Sequence, residues 1–68
     1  VKLEIGKRYK NGRGEIAKIG GHTTIDKRLV YSLGGDWYEQ ETGHFVFEHG
    51  HGTWKAPKTW RSLVEEVP

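Results

Sequence analysis

The histidines are the residues of this chain best suited to chemistry. His49 and His51 stand two apart, so in extended backbone both side chains leave the same face, and His44 precedes them on what reads as a hairpin strand. With a carboxylate such as Asp36 or Glu48, three imidazoles make the donor set of a zinc site that keeps one position open. The glycines of His49-Gly50-His51-Gly52 work against this, because ligands need a fixed supporting shell. A solvated loop is the plainer reading.

A second constellation is basic. Lys7, Arg8, Lys10, Arg13, Lys18, Lys27 and Arg28 are suited to phosphate contacts, and an exposed Tyr9, Trp37 or Trp54 would stack on bases. Charge is polarised along the chain: +5 over residues 1–28, −4 over 29–53 and +1 over 54–68, for a net +2 and a pI of about 9.1. That net charge is small for a nucleic-acid binder, and lysines also serve to keep sheet edges solvated. The basic residues must gather on one face for the reading to hold.

The third constellation is aromatic. Three tryptophans and three tyrosines in 68 residues exceed what so small a core encloses with ease. Trp37 and Tyr38 are neighbours on a predicted strand, so they face opposite ways and one of them should be exposed. Protein interfaces are enriched in Trp, Tyr and Arg, which makes Trp37, Tyr38, Tyr9 and Trp54 the expected protein-binding set. Trp54 and Trp60 would otherwise plug the ends of a barrel. A protein-binding module is therefore preferred, with nucleic-acid binding and a histidine metal site as alternatives.

Catalysis is not expected and no cofactor is implied. Gly12-Arg13-Gly14 lacks the spacing and the Lys-Ser/Thr of a phosphate loop, Ser32 and Ser62 sit in no nucleophile elbow, and there is no cysteine. His49 and Glu48 are strand neighbours and would face opposite sides.

The elements that must position these groups are short and β-rich. Residues 3–5 or 8–10 form the first strand, Asn11-Gly12-Arg13-Gly14 a tight turn, and 15–19 the second strand, closed by Gly20-Gly21. After a polar loop at 22–28, residues 29–33 alternate so as to put Leu29, Tyr31 and Leu33 on one face. Turns at 34–36 and 41–43 bound strands 37–40 and 44–48 in a meander. Trp60, Leu63, Val64 and Val67 fit a helix face, but a helical turn at 59–62 followed by a closing strand 63–67 is preferred, since it removes an exposed edge. The expectation is one domain over residues 1–68, a mainly β, five- to six-stranded antiparallel SH3-like barrel with a short helical turn before the last strand. It should be a monomer or weak dimer. No membrane segment or leader is evident, and the lack of cysteine fits a reducing cytoplasm.

The order of Glu4-Ile5-Gly6-Lys7-Arg8-Tyr9, a glycine turn with Arg13, Ile16-Ala17-Lys18-Ile19, the central Tyr31, Glu41-Thr42-Gly43-His44 and Ser62-Leu63-Val64 resembles small phage and prophage proteins of SH3-like barrel type. Ser62 stands where their closing motif has Asp, and residues 49–52 have no counterpart. The resemblance spans nearly the whole chain. It implies a bacterial cytoplasmic setting and an accessory protein that binds a host or phage protein.

Overall fold

The computed structural model describes residues 1–48 and 53–68. Strands β1 (Arg8–Asn11), β2 (Ile16–His22), β3 (Leu29–Ser32), β4 (Trp37–Glu39) and β7 (Leu63–Val67) form one antiparallel sheet in the order β4-β3-β2-β1-β7. Strands β5 (Phe47–Glu48) and β6 (Trp54–Lys55) form a separate two-stranded ribbon, with Glu48 opposite Trp54. The first strand of the sheet pairs with the last, Tyr9 opposite Glu66, which curls the sheet into a half-barrel. None of the described residues is helical, and no helix is long and apolar enough to cross a membrane.

Turn chemistry sets the register. The Asn11 side-chain oxygen accepts hydrogen bonds from the Arg13 and Glu15 amides at 2.9 and 3.0 Å, holding the β1–β2 turn with Gly14 at positive φ. In the β3–β4 turn, Gly35 N donates to Ser32 O and Ser32 N to Asp36 O, again with a glycine at positive φ. The concave face carries the core: Leu3, Tyr9, Ile19, Val30, Tyr38, Phe45 and Leu63. Tyr38 meets Phe45 edge-on at 5.7 Å between ring centres, an arrangement that favours the ring quadrupoles.

Four expectations need correction. The segment before β7 is a single turn closed by Ser62 N donating to Thr59 O, and not a helical turn. The Ser62 hydroxyl, buried there, accepts from the Phe45 and Thr59 amides at 3.3 and 3.2 Å, which fixes the single turn against the β4–β5 connection. Gly20-Gly21 does not end β2 but lies inside it, at a register shift, with the Tyr31 ring laid over both glycines. The facing of β3 is largely reversed: Val30 and Ser32 are buried with Leu29, while Tyr31 and Leu33 are exposed, because Tyr31 packs outward on that glycine backbone. Finally, the strand expected at 44–48 is reduced to β5: His44 lies outside any strand, and Phe45 makes an isolated bridge to Tyr38 before the chain departs into β5.

Candidate functional site

Neighbours on β4, Trp37 and Tyr38 do face opposite ways: Tyr38 is 4% exposed and Trp37 is 37% exposed. Tyr9 is wholly buried, flanked by outward Arg8 and Lys10, and its hydroxyl accepts the Glu4 amide at 2.8 Å. Tyr9 is thus a core residue and drops out of the surface set, and Tyr38 puts its ring in the core and only its hydroxyl end toward a depression lined by Asp36 and Arg61. Trp37 and Trp54, by contrast, come together. They line one small cleft of about 60 Å³ with Ile25, Glu48 and Thr53.

Each wall of that cleft is fixed by local chemistry. Trp37 sits opposite Tyr31 in the β3–β4 ladder and its carbonyl accepts from Val46 N at 2.9 Å. Trp54 is half-buried and paired with Glu48 across the β5–β6 ribbon. Ile25 rides on a loop pinned by Thr23, whose hydroxyl donates to Asp26 O at 2.6 Å, and by Asp26, whose carboxylate accepts from the Arg28 guanidinium at 2.7 Å. The Arg28 side-chain hydrogen bond comes first in holding the Asp26 carboxyl down at about 2, and Trp54 adds a further hydrogen bond to it. Arg28 in turn lies over the Trp54 ring at 5.4 Å. Loop and indole therefore brace each other. Ile25 was not anticipated, although a lone large apolar residue in a polar loop was the signal available.

The seven basic residues do not gather. Arg8, Lys10 and Lys18 share the outer face of β1 and β2, Arg13 sits at the β1–β2 turn, and Lys27 and Arg28 lie in the loop at the other end of β2. Several are already engaged. Lys7 pairs with Glu4 and Glu66, Lys10 with Glu65 and Arg28 with Asp26, while Arg8 donates to the Pro68 carbonyl and Arg13 lies 3.7 Å over the Trp60 ring.

Of the histidines, His44 holds its Nδ1 2.8 Å from the Ala56 carbonyl, which makes that nitrogen the protonated donor. His49 and His51 lie outside the described residues. Among the described residues no three His, Asp or Glu side chains are grouped to hold a metal ion. Comparisons with family models, curated proteins and solved structures found no match.

Proposed function

We propose that this chain is a non-catalytic, protein-binding module on a small SH3-like barrel, and that it grips its partner at the cleft between Trp37 and Trp54. The cleft itself carries the reading: two tryptophans from separate strands and an isoleucine from a pinned loop converge on a space of about 60 Å³. Small-molecule sites run to roughly 300–1,000 Å³, so this one suits a single inserted side chain. Interface hot spots have the same make-up, with large aromatic walls desolvating one anchor. Pairing of the first strand with the last, around a meander, supports the SH3-like assignment. The resemblance of the sequence to small phage proteins supports a host or phage protein as partner, met in the bacterial cytoplasm. The scattered and engaged basic residues lend nucleic-acid binding less support.

The test is capture from bacterial lysate on immobilised protein, with and without nuclease, comparing wild type with Trp37→Ala. The expected result is a protein retained regardless of nuclease and reduced about tenfold or more by the substitution, with circular dichroism unchanged. Loss of all bound material on nuclease treatment would move the function to the basic residues. Equal retention by Trp37→Ala would remove the cleft from consideration.

A further inference from the structure

The Trp37–Trp54 cleft does not stand alone. A depression of about 250 Å³ shares Trp37 and Glu48 with it and adds Asp36 and Phe45. A third, of about 290 Å³, shares Asp36 and Phe45 with the second and adds Glu15, Tyr38, Trp60 and Arg61. The three share walls in series, from the β2–β3 loop, past β4, to the turn before β7, and together make up one groove. Its lining sets Glu48, Asp36 and Glu15 against Arg61, with Arg13 and Arg28 stacked on the bordering Trp60 and Trp54 rings. Among the described residues neither Asp36 nor Glu48 is in an ion pair.

The far end of the groove also presents hydrogen-bond donors. The Tyr38 ring is buried in the core, while its hydroxyl makes no hydrogen bond among the described residues and reaches solvent at its tip. Tyr38 lines the third depression together with Asp36, Glu15 and Arg61. The Arg61 guanidinium lies over the Phe45 and Trp60 rings at 5.1 and 5.3 Å, and no carboxylate among the described residues pairs with it. A hydroxyl that reaches solvent and a guanidinium held on aromatic faces both keep N–H or O–H donors open to a ligand.

We propose that the groove binds an extended, basic peptide segment of the partner protein. An aliphatic side chain enters the Ile25–Trp37–Trp54 cleft, a lysine or arginine lies against Asp36 and Glu48, and peptide carbonyls accept from Tyr38 and Arg61. The inference rests on the protein-binding reading above. An extended segment meets both demands of the groove, since its side chains alternate and its carbonyls are free, whereas a helix has spent its carbonyls internally. Phosphates and acidic segments meet three carboxylates and are repelled.

The test is an array of short capped peptides, each with one aliphatic anchor and every residue type in turn at the other positions, probed with the whole chain. Retained peptides should place Lys or Arg at a fixed spacing from the anchor, and exchange of that residue for Glu should lower retention roughly tenfold. The double variant Asp36→Asn/Glu48→Gln should lose the basic preference and keep the aliphatic one. The control Glu41→Gln/Glu65→Gln, with the same change in net charge outside the groove, should keep both. Peptides retained without a basic preference, or with one that the first double variant leaves intact, overturn this inference and leave the protein-binding reading standing. Retention of no peptide also overturns it, and the capture experiment then decides that reading separately.

Discussion

The ring of Tyr31 lies so close on the bare main chain of Gly20 that a methyl group there would stand 2.7 Å from the ring's Cε1. Leu33 closes from the other side at 2.8 Å, and Gly21 is covered by the same ring. Gly20→Ala must therefore displace the ring or the strand. Since Tyr31 is partly exposed, the ring can tilt away, and the cost should be about 1–2 kcal/mol in urea unfolding. Tyr31 stands directly opposite Trp37 on β4, so the same variant should alter tryptophan emission while folded. Adding Tyr31→Ala should recover part of the loss, and strict additivity of the two would contradict the contact.

Gly43 should be far less forgiving. Its φ is +79°, and a Cβ there would meet main-chain oxygens of Leu63 at 2.5 Å and Val1 at 2.9 Å, neither of which can swing aside. Its carbonyl accepts the Leu63 amide at 2.7 Å, tying the start of β7 to the β4–β5 connection. Left-handed backbone costs a non-glycine residue about 1–2 kcal/mol before any collision. Gly43→Ala should lose about 3 kcal/mol or more, a large share of the roughly 3–10 kcal/mol expected of a chain this size. A thermal midpoint close to wild type would refute this account of the closure.

These two glycines also show what was legible in the sequence. Gly43 sat in a predicted turn, where local chemistry decides, and the turns at 11–14, 34–36 and 41–43 all form as read. Gly20 reads from sequence as a strand end, because glycine inside a strand is unusual unless another group approaches the backbone, and that group, Tyr31, comes from β3. The facing of β3 has the same origin: alternation puts Leu29, Tyr31 and Leu33 on one face, but with Val30 apolar as well, the packing of Tyr31 on the glycine backbone decides which face is buried. Opposite facing of Trp37 and Tyr38 was readable from strand period alone. Their sorting into groove and core was not, and nor was the meeting of Trp37 with Trp54, which depends on β5 leaving the main sheet after the Tyr38–Phe45 bridge.

Acid should loosen the cleft through Asp26. Its carboxyl is held at about 2 against an ordinary 3.8, first by the Arg28 side chain and then by the Arg28 amide. The folded value lies below the unfolded one, so the contribution is present above about 3.8 and fades as pH falls through about 2. In that window the β2–β3 loop should release Arg28 and, with it, the support under Trp54. Carboxyl-resolved NMR should place the Asp26 midpoint near 2, and Asp26→Asn should remove the accompanying change in the Trp54 indole signal. An Asp26 midpoint near 4 would mean that the Arg28 bridge does not persist in water.

Base should act through Tyr38, and here the sign is reversed. Burial chiefly, with Asp36 next, pushes the phenol up to about 12 from 10.0, while Arg61 pulls the other way. Because the folded value is raised, the stabilising contribution is intact below about 10 and is lost as pH rises through about 12. Tyr38→Phe keeps the ring that meets Phe45 edge-on and removes a hydroxyl with no partner among the described residues. Its stability at neutral pH should therefore fall within about 0.5 kcal/mol of wild type. Ultraviolet titration of phenolate should lose a step near 12 in the variant. If that step persists, or if the variant unfolds at neutral pH, the hydroxyl is engaged inside the fold and is not available to a peptide carbonyl in the groove.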